Sequence, residues 1–230
     1  MALSRLGLTA HLMLHGPTRV ERNQQSVVSI NQTKGDLASL FHIEVDRLTS
    51  DEEMAQLKHE ILSVLNDTNL VVRDWQLMSD KLTEVIQDLK EQKDAGFIEI
   101  ERYEESIQFL RWLGEHNFTF MGYKEYDLVA DGDAIELRPN SDQGLGLFSQ
   151  PDKVRTVSLS EFPDSARLEA QKPYLLILTK GNVQSRIHRP AYTDYIGIKK
   201  LDKNGKVIGE HRFTGYIPQP CITKAFKQSL

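Results

Sequence analysis

The side chains best suited to chemistry crowd the C-terminal half of the chain. Arg186, His188, Arg189 and Asp194 fall close together, and Glu210, His211 and Arg212 follow after one turn. Guanidinium groups make paired hydrogen bonds to carboxylates, so cations converging on a sheet here would bind a carboxylate ligand. On an extended strand Arg186 and His188 share a face through the two-residue repeat. The candidate ligand residues are therefore Arg186, His188, Arg189, Asp194 and Arg212. A competing reading makes the same cations structural, paired with Glu210 or Asp194 across a hairpin.

Other combinations carry less. His11 and His15 lie four apart on an extended segment, and a zinc site needs three or four ligands; no third ligand is near in sequence. Gly144-Leu145-Gly146 is the closest approach to a dinucleotide loop, but it lacks the third glycine and leads into Phe148 instead of a helix. It reads as a mobile loop. Ser, His and Asp all occur, without a G-x-S-x-G elbow. The single cysteine, Cys221, excludes an internal disulfide and a cysteine-rich metal site, and lies as a mobile thiol between Pro218-Gln219-Pro220 and the end. His59 reads as solvated and His42 as pointing outward. Trp75 and Trp112 sit at helical core spacing and read as core anchors. No catalytic, cofactor-binding or metal-binding residue is expected in this chain.

The elements that must position these residues are legible from periodicity. Residues 8–30 read as extended, punctuated at Gly16-Pro17 and turning at Asn23-Gln24-Gln25. A polar loop over 31–38 precedes a strand at Leu40–Asp46. Ser50 with Glu53, or Thr49 with Glu52, forms a capping box, followed by Met54, Leu57, Ile61, Val64 and Leu65 on one helix face. Asn66-Asp67 closes that helix and Leu70-Val71-Val72 reads as a strand. A second helix over 74–93 carries Trp75, Met78, Leu82, Val85 and Leu89. After a break at Gly96, a third helix over 99–116 carries Ile100, Tyr103, Ile107, Leu110 and Leu113. From Phe118 the pattern is β-rich. Strands are expected at 118–128, Ala134–Leu137, Tyr174–Thr179 and Val183–His188, with turns at Asp131-Gly132-Asp133 and Gly181-Asn182. A short helix is expected near 160–170. A hairpin from Tyr195 to Tyr216, around Asp202-Lys203-Asn204-Gly205, closes the sheet.

Composition sets outer limits. The chain has 230 residues, 40% apolar and 27% charged, with a net charge of −5. Lysines and arginines are interleaved with acids, so no basic stripe marks a nucleic-acid partner. No apolar run approaches the roughly 20 residues of a membrane span. A cytoplasmic location, without nucleic-acid or membrane partners, is the expectation.

Three stretches carry a likeness: Phe41–Met78, Trp112–Leu128 and Leu175–Tyr216. They resemble the N-terminal region of the large bacterial NAD-dependent glutamate dehydrogenases. The resemblance implies an α+β chain: a partial ACT-like (ferredoxin-like) β/α unit over 1–75, a helical linker pair over 76–116, a PAS-like antiparallel sheet over 117–217 and a divergent tail over 218–230. It implies a non-catalytic regulatory or oligomerisation segment. The parent reaction would convert L-glutamate, NAD and water to 2-oxoglutarate, ammonia and NADH, with NAD bound elsewhere and an amino acid as a possible ligand here. The alternative is a stand-alone PAS-like module that senses a small molecule. The tail after Tyr216 departs from the family pattern, so the chain is expected to be a fragment.

An ACT-like unit lacking its first strand would expose strand edges that invite pairing with another chain. The expected outcome is a homo-oligomer assembled through residues 8–47. Light scattering across a concentration series tests it; a monomer at the highest concentration sinks the idea.

Overall fold

The computed structural model describes residues 2–24, 26–31, 33–92, 100–131, 134–140, 143–158 and 175–218. The expectations for the Gly96 break, for Gly132-Asp133, for a helix near 160–170 and for Cys221 lie outside the described residues. The chain divides into two compact units, Met1–Val64 and Leu65–Leu230. Both carry antiparallel sheets with few helices.

In the N-terminal unit a single helical turn, α1 (Ala2–Arg5), precedes a sheet of β1 (Ala10–Asn23), β2 (Ser26–Asn31) and β3 (Asp36–Val45), ordered β2-β1-β3. Gly16-Pro17 does not break β1 as its composition suggests. β2 pairs only with Arg19 onward, so one side of β1 is open at Pro17 and its missing N–H costs no ladder bond there. The hairpin turns at Gln24, in the left-handed region at φ 56°. β3 begins at Asp36, earlier than Leu40, because Gly35 brings the chain back hard against β1. At φ 93°, its missing Cβ would lie 2.3 Å from the Val20 carbonyl oxygen.

The helix that follows is one element, α2 (Asp51–Gln92), of 42 residues. Of the two possible capping boxes the chain uses Ser50 and Glu53. The Glu53 N–H donates to Ser50 Oγ (3.1 Å), and Glu53 Oε2 accepts from the backbone N–H groups of Thr49 (2.9 Å) and Ser50 (3.2 Å). These bonds, Thr49 first, hold the Glu53 carboxyl below its usual range. The expected stop at Asn66-Asp67 and the expected strand at Leu70–Val72 are both overturned. Asp67, Val71, Asp74, Met78, Leu82, Val85 and Leu89 are all buried and recur every three or four residues, so one buried stripe runs straight through the supposed break. Asp67 belongs to that stripe and does not end it. Trp75 lies one position off the stripe and is 52% exposed, against the expectation of a core anchor.

In the C-terminal unit α3 (Ile100–Trp112) ends in a wide turn at Leu113–Asn117, where His116 takes φ 64°. The Asn117 side-chain amide closes it by donating to the carbonyls of Trp112 (2.9 Å) and Glu115 (3.2 Å). Trp112 is half-buried and stacks on Phe109. The sheet comprises β4 (Thr119–Asp131), β5 (Ala134–Pro139), β6 (Leu145–Gly146), β7 (Val157–Ser158), β8 (Leu176–Gln184), β9 (Tyr192–Leu201) and β10 (Val207–Tyr216). Its order is β7-β5-β4-β10-β9-β8, with β6 also on β4. The closing hairpin is as expected: Asp202 Oδ1 accepts from the N–H groups of Asn204 (2.8 Å) and Lys206 (2.9 Å). Gly181-Asn182 is not a turn. It lies inside β8 where the register with β9 slips between Lys180 and Gln184, so the segment bulges instead of reversing. The core gathers Met78, Leu82, Leu110, Leu113, Met121, Ile196, Ile198 and Phe213, each 2% exposed or less.

Two buried carboxylates on α2 fix the segment after β5. Asp74 accepts the Gly146 N–H (2.8 Å) and a paired contact from Arg73 (2.7 and 2.8 Å). Asp67 accepts from Gln150 (2.9 Å) and Lys153 (2.7 Å). Gly144-Leu145-Gly146 is therefore a seated part of the sheet and not a mobile loop. Gly146 sits at φ 57°, where a Cβ would meet the Met121 carbonyl oxygen at 2.4 Å.

Val72 gives a direct test of the uninterrupted helix, being 63% exposed. Alanine exceeds valine in helix propensity and falls below it in strands, so Val72→Ala should stabilise the protein by up to about 0.5 kcal/mol. Thermal denaturation reads it; a clear loss would speak for the extended conformation.

Candidate functional site

Strand register sorts the side chains of the C-terminal sheet onto two faces. Glu210 stands opposite Tyr126 and Lys199, Arg212 opposite Lys124 and Gly197, and Thr214 opposite Gly122 and Tyr195. These residues share one face. His211, opposite Glu125 and Ile198, and Phe213, opposite Tyr123 and Ile196, share the other.

The first face is polar and buried. Glu210 and Lys199 are each 3% exposed, and Tyr126 is 1% exposed. The Arg212 guanidinium lies 3.9 Å from the centre of the Tyr126 ring and 5.0 Å from that of Tyr195, a double cation–π contact. Its Nε–H donates to Glu210 Oε1 (3.1 Å) and to the Tyr195 hydroxyl oxygen (3.2 Å). The Tyr195 hydroxyl in turn donates to Glu210 Oε1. Burial, and then the Glu210 carboxylate, push the Tyr195 phenol far above its usual range. Glu210 reaches this position only because residue 197 is glycine: a Cβ there would lie 2.9 Å from Glu210 Cδ and 3.1 Å from Oε2. Lys124 donates to Asn140 through the backbone oxygen (2.9 Å) and Oδ1 (3.2 Å).

The second face carries α2. Between them runs a groove of about 350 Å³ lined by Lys81, Glu84, Asp88, Tyr123, Glu125 and His211, among others. Lys200, in the same groove, bridges Glu125 and Asp127 (3.0 Å to the latter). The Tyr123 hydroxyl lies 3.0 Å from His211 Nδ1. Burial pushes the His211 imidazole down to about 4, so it is neutral near pH 7.

The residues expected to converge do not form one site. Arg186, His188 and Arg189 lie on no strand face. They belong to the loop between β8 and β9, where His188 takes φ 65°. The loop folds over Tyr216, which carries the Arg189 guanidinium 4.3 Å above its ring and the His188 ring at 5.2 Å. The Tyr216 hydroxyl donates toward the carbonyls of Arg189 (3.1 Å) and Ala191 (3.0 Å). Asp194 is an anchor: it accepts from Lys180 and from the Ile217 N–H (2.9 Å). Arg212 alone of the five joins the buried cluster. Glu210 was expected only as a partner across the hairpin, and Tyr126 and Tyr195 come from other strands, so only register reveals the cluster.

His11 pairs with Asp46 (2.7 Å), and His15 stacks on Phe41. Among the described residues no group of three or more His, Cys, Asp or Glu could hold a metal ion. No described helix is long and apolar enough to cross a membrane.

Known proteins place this architecture. Residues 1–61 match the family described as glutamate dehydrogenase, ACT1 domain. Over nearly its whole length, the chain is 33% identical across 224 residues to the NAD-specific glutamate dehydrogenase of Halomonas elongata, an alignment covering 93% of the chain and 14% of that protein. The NAD-specific glutamate dehydrogenase of Pseudomonas aeruginosa is 31% identical over 225 residues, 94% of the chain and 14% of its own length. That of Mycobacterium tuberculosis is 26% identical over 175 residues. The chain resembles an N-terminal region of the NAD-specific glutamate dehydrogenases, and spans about 14% of the length of the first two relatives.

The buried neutral His211 imposes a pH dependence with a definite sign. Its folded value lies below the unfolded value of about 6.5, so between those limits the unfolded chain binds the extra proton. Stability should fall as pH drops from about 6.5 to about 4, by at most about 3 kcal/mol. Urea titrations of the wild type and His211→Gln should differ in that slope; equal slopes would remove His211 as its source.

Proposed function

We propose that this chain is a non-catalytic regulatory segment of an NAD-dependent glutamate dehydrogenase. The observation that carries the reading is the near end-to-end match, spanning both compact units, to a small fraction of each of two much longer dehydrogenases. In this reading the parent enzyme oxidises L-glutamate to 2-oxoglutarate and ammonia, and NAD binds outside this segment.

The two units divide the work. The N-terminal unit is the ACT-like part and serves assembly between copies. Support comes from large apolar side chains exposed on its sheet, including Met13 (58%), Leu14 (56%), Val28 (66%) and Leu37 (72%). Met13 and Leu14 are neighbours on β1 and so face opposite ways, which offers apolar surface on both sides of the sheet. The C-terminal unit is the PAS-like part. Support comes from its five long strands, among which the first, β4, and the last, β10, are central neighbours. Modulation of the parent would act as a coupling free energy, typically about 1–3 kcal/mol, between this segment and the catalytic part.

The purified chain should show no glutamate-dependent reduction of NAD. Deleting the corresponding segment from the whole dehydrogenase should leave NAD-binding residues intact while changing its oligomeric state or its response to amino acids. Turnover by the isolated chain above a protein-free blank, followed at the absorbance of NADH, would refute the non-catalytic reading.

A further inference from the structure

We infer that α2 pairs antiparallel with α2 of a second copy of this chain, with Trp75 of each helix seated in a groove on the other. This surface is separate from the exposed sheet of the N-terminal unit. The pairing stands whether or not that sheet assembles copies.

α2 carries two stripes. The buried one runs through Asp67, Asp74, Met78 and Leu82. Roughly 100° around the helix from it lie Met54, Ile61, Leu65, Val72 and Trp75. Their successive spacings are seven, four, seven and three. All five therefore occupy a or d positions of one heptad register, with Lys58, Thr68 and Ser79 at the others. Met54 is 49% exposed, Leu65 45%, Val72 63% and Trp75 52%. A narrow apolar seam of this kind is how one helix meets another, and it lies apart from the stripe that meets the core.

The seam holds a matching knob and hole. An apolar groove of about 340 Å³ is lined by Leu48, Met54, Leu57, Lys58, Ile61 and Leu62. Residues 54, 57, 58 and 61 are the four corners of a hole that receives one side chain from a facing helix. Trp75 is the largest side chain of the seam. It lies seventeen positions beyond Lys58 on the same helix, about 25 Å at 1.5 Å per residue, too far to fill that groove itself. A second copy brings it there.

One antiparallel register engages every member. It sets Trp75 against Lys58 of the second copy, Val72 against Ile61, Thr68 against Leu65 and Ser79 against Met54. Each layer joins an a position to a d position and recurs by two-fold symmetry, so the assembly closes at two copies. Shifting the register by one heptad carries Trp75 beyond Met54, or sets Lys58 opposite the buried Leu82. The chosen register also places the one charge of the seam well. An ammonium over the face of an indole is attracted by the ring quadrupole. A single lysine at an a position specifies register and oligomer state. A parallel pairing would instead set Lys58 against Lys58, and opposed like charges are unfavourable.

Four layers make a small interface, on the order of 1,000 Å², so association is expected in the micromolar range. Disulfide trapping tests it on the whole chain with Cys221 replaced by serine. Ile61→Cys and Val72→Cys chains, mixed and oxidised, should give a mixed dimer. Each oxidised alone should give at least about fivefold less, because antiparallel helices hold like positions too far apart for a disulfide. Sedimentation equilibrium reads the affinity. Trp75→Ala and Lys58→Glu should each weaken it at least about fivefold. Leu37→Asp, on the N-terminal sheet, should leave the mixed disulfide in place. Ile61→Cys oxidising with itself as readily as with Val72→Cys is the parallel result and overturns the pairing. So does the absence of any trapped dimer. So does loss of association with Leu37→Asp and not with Trp75→Ala, which would assign assembly to the sheet. Should Trp75→Ala or Lys58→Glu misfold by circular dichroism, the cysteine pair still decides.

Discussion

The C-terminal unit depends on two buried carboxylates, Asp67 and Asp74, seven residues apart on one face of α2. An uncompensated buried carboxylate is costly, so each demands donors from whatever packs against it. Asp74 takes a backbone N–H from Gly146 and Asp67 takes Gln150 and Lys153. Together they pin the segment after β5 along the helix. That segment seats Gly146 against Met121 on β4, and Phe148 against Gly122. The Arg73 guanidinium and the Gly146 N–H hold the Asp74 carboxyl below its usual range.

This clamp also explains the length of α2. A helix broken at Asn66-Asp67 would carry Asp67 at a terminus, exposed to water and free of its partners. In one continuous helix the stripe from Asp67 to Leu89 stays in phase, and its apolar members cover the sheet face of Tyr123, Phe213 and Ile196. The opposite face is left for polar residues. Two glycines, Gly122 and Gly197, make room there for Phe148 and Glu210.

Much of the fold was legible in the residues. The Ser50–Glu53 box, the closing hairpin around Asp202–Gly205 and the switch from helical to extended periodicity at Phe118 all rest on interactions between near neighbours. The misreadings share a cause. Leu70-Val71-Val72 is a β-branched run with strand propensity, and the burial of Val71 overrode it. Gly181-Asn182 has the composition of a turn, but pairing with β9 kept the chain extended through a bulge. Trp75 has a core residue's size and lies one position away from the stripe that is buried. In each case a local preference worth a fraction of a kcal/mol yielded to packing worth more.

By itself the sequence determined the likeness to the glutamate dehydrogenases, the α+β class and the crowding of cations in the C-terminal half, because long motifs and short-range periodicity survive without coordinates. Tertiary structure decided which of those cations act together. Arg186, His188 and Arg189 went to a loop folded on Tyr216, and Asp194 to anchoring Lys180 and the Ile217 N–H. Arg212 was placed between Tyr126 and Tyr195 because β4, β9 and β10 pair in one particular register. Register across three strands is a long-range property: it is set by turn lengths, bulges and which face must be buried, and no window of neighbouring residues contains it.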